Sequence, residues 1–82
     1  MLELAQAAMQ CFDVQEAVVA QNLASEFGEG EEVRRELPSG VLVLYRNVKT
    51  DSWSLVWYPR PGVACPTFGT GTPPDIVRMR DA

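Results

Sequence analysis

An α+β fold is what this sequence predicts: an N-terminal amphipathic helix packed on an antiparallel β-meander of three to four strands. Three observations carry the prediction. Apolar residues recur at helical spacing up to Gly28, four strand-like runs follow residue 31, and every link between those runs is short. Short links between successive strands favour antiparallel neighbours, and a small sheet needs a helix to cover one face.

The helical part spans residues 1–28. Asp13 and Glu16 have the spacing of a capping box, with Asp13 as the residue that starts the helix. Val14, Ala17, Val18, Leu23, Ala24 and Phe27 follow on one side and Gly28 provides the C-terminal stop. Leu2, Leu4, Ala5, Ala8 and Met9 also suit a helix, either continuous with the first or separate from it.

The meander spans residues 31–70. Residues 32–37, 41–47, 52–58 and 63–68 read as strands, separated by "PSG", "VKTD" and "PRPG". Strand alternation puts Trp53, Leu55 and Trp57 on one face, and their bulk makes that face the expected core beneath the helix. The "EEVRREL" run carries charges of both signs and Pro66 removes a donor from the last strand, which suits both to sheet edges. Either Leu42, Leu44 and Arg46 or Val41, Val43 and Tyr45 then face outward. The tail, 71–82, opens on prolines and is expected to be irregular and to wrap the outside.

Eighty-two residues make one domain with a modest core, and 46% hydrophobic with 22% charged residues are ordinary globular values. No apolar run reaches the roughly 18 residues of a membrane span. The net charge of −4 is unevenly spread: residues 1–33 hold seven acids and no Lys or Arg, whereas residues 34–82 hold seven bases and four acids. That division argues against nucleic acid as a partner, because phosphate binding needs an uncancelled basic patch.

The chemistry-bearing residues are few. Without histidine, neither a Ser-His-Asp nor a Cys-His nucleophile system can be built. Glu26, Glu29, Glu31 and Glu32 cluster without EF-hand spacing and read as a solvated link, and "GTGTP" lacks the ending of a phosphate loop. No catalytic residue, cofactor or metal site is assigned; an enzyme would have to use Asp51 or Glu36 with Arg46 or Arg60. Cys11 and Cys65 admit two readings. A bridge between them closes 54 positions, worth about 4 kcal/mol in the chain-entropy model, whereas two buried thiols suit an intracellular protein equally.

Cys11 ahead of the helix, the Phe27-Gly28-Glu29 helix end, Ser52-Trp53-Ser54 and the turn from Pro61 to Cys65 together resemble small secreted proteins of unknown function from marine bacteria. The resemblance covers residues 11–70 and implies export, a Cys11–Cys65 disulfide and no particular activity. Met1 opens no recognisable secretory signal, although Ala5-Gln6-Ala7 has the small-x-small form of a signal-peptidase site. In the chain, Arg60-Pro61-Gly62 replaces that group's acid-containing turn; Pro followed by Gly still suits a type II turn.

The expected function is therefore a non-catalytic binding or accessory module, periplasmic or secreted, that meets an unidentified protein partner or a second copy of itself. The alternative is a cytoplasmic adaptor or inhibitor with two buried free thiols. Tyr45, Arg46, Tyr58 and Arg60 are the candidate contact residues, since tyrosine and arginine are enriched at interfaces.

Overall fold

The computed structural model describes residues 10–78; the helical segment expected upstream, the motif at residues 5–7 and residues 79–82 lie outside them. The elements are β1 (Phe12–Asp13), α1 (Glu16–Phe27), β2 (Gly30–Leu37), β3 (Gly40–Asn47), β4 (Ser52–Arg60) and β5 (Val63–Thr70). They form an α+β structure with one antiparallel sheet in the order β1-β5-β4-β3-β2. The strand count is five rather than three to four, because Phe12 and Asp13 pair with Ala64 and Val63.

That short pairing also moves the helix start. Asp13 is held extended in β1, so the capping box does not form; Gln15 is the extended N-cap and makes no side-chain cap bond. The Val18 and Val19 amides instead share the Gln15 carbonyl at 3.0 and 3.1 Å. The inward face is rotated accordingly. Leu23 is buried with Val14, Val19 and Ala20 beside it, whereas Val18 and Phe27, expected inward, stand exposed. Gly28 ends the helix as expected, at φ 65°, with its amide on the Ala24 carbonyl. This left-handed conformation costs glycine little.

The helix covers the opposite face of β4 from the one its tryptophans suggested. Val43 pairs with Val56, Tyr45 with Ser54 and Val41 with Tyr58, and this face packs against Leu23. Its tyrosine pair satisfies its own polar atoms: the Tyr45 and Tyr58 hydroxyls meet at 2.8 Å over the Val43–Val56 pair. An ion pair between Arg34 of β2 and Glu16 ties the helix to the sheet margin.

Trp53, Leu55 and Trp57 lie on the other face, partly buried. The two indoles lie across glycines of neighbouring strands: a methyl on Gly69 would strike Trp53, and one on Gly40 would come within 2.7 Å of Trp57. Irregular residues 71–78 supply this face with a cover. Arg35, on the same face as Leu42 and Trp57 by register, donates from Nη1 to the Ile76 carbonyl at 3.0 Å, and Ile76 is buried. The described part of the tail, residues 71–78, is irregular and lies over this outer face as expected, while also committing Ile76 to the interior; neither expected outward set is exposed, since Val43, Leu44 and Tyr45 are all buried.

Cys11 and Cys65 lie with their sulfurs 2.04 Å apart and Cα atoms 4.0 Å apart, one position beyond the Phe12–Ala64 pair. β2 forms one edge, as its mixed charges predicted. The other edge carries β1, which spans only Val63 and Ala64, rather than β5 alone. No helix among the described residues is long and apolar enough to cross a membrane.

Reduction, or Cys11→Ala with Cys65→Ala, should lower unfolding free energy by about 2–4 kcal/mol, read by denaturant titration with and without reductant. Equal midpoints would show that the bridge adds nothing. Ile76→Ala should cost about 2–4 kcal/mol as a buried truncation; a cost near zero would show the tail to be unattached.

Candidate functional site

Where the helix ends, Gly28 turns the chain back toward the sheet, and the Glu29 amide returns to the Leu23 carbonyl at 3.1 Å. Asn47 holds the same end from the β3–β4 turn, its Nδ2 donating to the Phe27 carbonyl at 2.9 Å. The Glu29 side chain therefore passes under the helix terminus instead of into solvent. It is 3% exposed, and the Ser54 hydroxyl, itself buried, donates to Glu29 Oε1 at 2.7 Å. Among the described residues no Lys or Arg pairs with it.

This pair borders an open cleft of about 430 Å³ lined also by Phe27, Phe68, Trp53, Gly69, Ser52 and Thr70. Both phenylalanines are more than half exposed. Large exposed rings around a recess with a few polar groups are the composition of a binding site. A buried carboxylate normally has a cation or several donors; Glu29 has one hydroxyl. The helix's negative dipole end lies beside it, and the last turn of α1 carries no basic residue. The accessible lining of the cleft is apolar, with the buried Glu29–Ser54 pair at its border. As chemistry, a serine hydroxyl donating to Oε1 fixes the direction of the Glu29 carboxyl group.

The sequence-derived contact residues do not meet here. Tyr45 and Tyr58 belong to the core, because their hydroxyls satisfy one another and their rings fill the space beneath α1. Arg46 is held by Asp51 at 3.0 Å and Glu32 at 3.7 Å, and Arg60 is exposed at the β4–β5 turn. Arg60 and Tyr58 border a second recess, of about 300 Å³, at the opposite end of the helix, with Glu16 and Pro61. The tyrosines and arginines thus do not form a joint outward surface. Among the described residues no three His, Cys, Asp or Glu side chains converge as metal ligands. Glu29, read in the sequence as part of a solvated link, is the residue that reading missed; the signal was Gly28, which reverses the chain immediately before it.

No family model, curated protein or solved structure matches this chain.

Burial pushes the phenol pKa of Tyr45 and Tyr58 above the ordinary value of 10, and for Tyr58 the hydrogen bond between the two hydroxyls adds to the rise. Raised folded-state values mean that the tyrosines' contribution to stability is intact below pH 10 and is lost as pH climbs beyond it. Since these are the chain's two tyrosines, absorbance near 295 nm should stay flat through pH 10–11 and then rise together with unfolding. A smooth titration centred on pH 10 in folded protein would place the phenols in water.

Proposed function

We propose that this protein is a non-catalytic binding module that works outside the cytoplasm, with the Phe27–Phe68 cleft as its binding surface. The observation that carries the reading is Glu29: a carboxylate held buried by Ser54, bordering an exposed aromatic cleft, with no cation of its own among the described residues. A small domain bears that cost more readily where a ligand repays it. The Cys11–Cys65 pair supports the compartment, since structural disulfides persist mainly where the surroundings are oxidising. The same pair weighs against the cytoplasmic adaptor with two free thiols.

Two measurements test the reading. Thiols trapped at the moment of cell lysis should be absent from the protein, which should fractionate with periplasm or medium; two free thiols in the cytoplasmic fraction would overturn the compartment. A mixed library of short peptides and amines titrated into isotope-labelled protein should shift the amides of Glu29, Ser54, Phe68 and Thr70. Shifts confined to other surfaces, or turnover of a chromogenic substrate panel that Glu29→Gln abolishes, would overturn the binding role.

A further inference from the structure

We infer that the recess beside the β4–β5 turn binds the C-terminal residue of a partner protein when that residue is apolar, with Arg60 taking its carboxylate. This is a second site, at the other end of α1 from the Phe27–Phe68 cleft, and it does not rest on the role proposed for that cleft. Three features of the recess converge on it.

The first is an uncommitted cation. Arg34, Arg46 and Arg78 each pair with a carboxylate, and Arg35 donates to the Ile76 carbonyl. Arg60, exposed at the rim, alone among the described arginines has no such partner. Glu16, the one acid in the lining, is held by Arg34. A guanidinium presents paired donors in one plane, the geometry that a carboxylate accepts on both oxygens.

The second is the lining. The recess holds about 300 Å³, and Val41, Tyr58, Pro59 and Pro61 make it mostly apolar. A phosphate or an acidic side chain would leave that floor unused. The last residue of a chain would not: its carboxylate and its side chain leave the same carbon, so one meets Arg60 while the other enters the recess. Capture of a C-terminal carboxylate is a recurrent mode of peptide recognition. The N–H that precedes this carbon also needs an acceptor. Gln15, on the opposite wall from the turn, makes no side-chain hydrogen bond among the described residues, and its carboxamide oxygen is free to accept it.

The third is rigidity. Arg60 stands between Pro59 and Pro61, so both neighbours have a fixed φ and its own backbone is restricted as the residue before a proline. Gly62 turns the chain at φ 85°, and Val63 pairs with Arg60 on one side and with Asp13 on the other. Cys65, just beyond, is bonded to Cys11. A turn braced in this way loses little freedom when a ligand arrives.

The test titrates the full oxidised chain with N-acetyl-Gly-Gly-Leu bearing a free carboxylate, followed by amide shifts and calorimetry. Shifts should centre on Gln15, Glu16, Val41 and Gly62. The C-terminal amide of the same peptide, or glycine in place of its leucine, should bind about tenfold more weakly. Arg60→Gln should bring the acid form down to the level of the amide while leaving the amide unchanged. Gln15→Leu should weaken the peptide but not isocaproate, which has the same apolar group and carboxylate without an amide N–H. Equal affinity for the acid and amide forms, or for the wild-type chain and Arg60→Gln, would overturn the role of the cation. Equal affinity for the leucine and glycine peptides would overturn the role of the recess. Isocaproate binding as tightly as the peptide would overturn recognition of a chain terminus. Shifts gathered at Phe27, Phe68 and Thr70 would place the peptide in the other cleft, which overturns this inference while supporting that cleft as the binding surface.

Discussion

A β-sheet has two sides, and a twelve-residue helix can shield only one of them. Most of what is distinctive in this protein answers that shortage of cover. The helix takes the face with Val43, Val56 and the tyrosine pair. The other face, which carries both tryptophans, is closed by an irregular segment that commits Ile76 to the interior and lends its carbonyl to Arg35. Flat indoles over glycines fill the remaining area at the cost of little chain. Where that economy ends, at the far margin of β5, Phe68 is left in the open beside Phe27.

The broad class was legible because alternation and short turns constrain topology strongly, and Gly28 marked its helix end unambiguously. Asp13 misled for a physical reason. A cap is worth about 1 kcal/mol, and the pairing of Phe12 and Asp13 with β5, adjacent to Cys11–Cys65, outweighs it. The choice of face was equally instructive. One alternating set of β4 holds Trp53, Leu55 and Trp57 and the other Ser54, Val56 and Tyr58, so size alone favoured the tryptophans. What decides for the tyrosines is a hydroxyl-to-hydroxyl bond across two strands, which depends on a register not readable from either strand separately.

The candidate site lay deeper than composition could reach. Glu29 sits among acids that mostly face water, and nothing in its immediate neighbours distinguishes it except the glycine before it. Ser54 is the matching clue, a small polar residue on a face otherwise built of Val43, Val56 and tyrosine. Neither residue is informative alone. Their meeting requires the helix to end over β4, which follows from the helix's length and from Asn47 holding its last carbonyl.

The position of the cross-link along the chain bears on how the molecule carries load. With 54 positions between Cys11 and Cys65, the covalent ring encloses α1, β2, β3 and β4 entirely and leaves most of β5 and the tail outside. Tension applied to the two ends therefore runs through the sulfur bridge and bypasses the enclosed strands. Only the flanking segments can lengthen, so pulling peels the tail from the tryptophan face and then β5 from β4, while the helix with its three strands stays slack inside the ring. The covalent ring thus limits how far end-to-end tension can draw out the chain, whatever becomes of the contacts inside it.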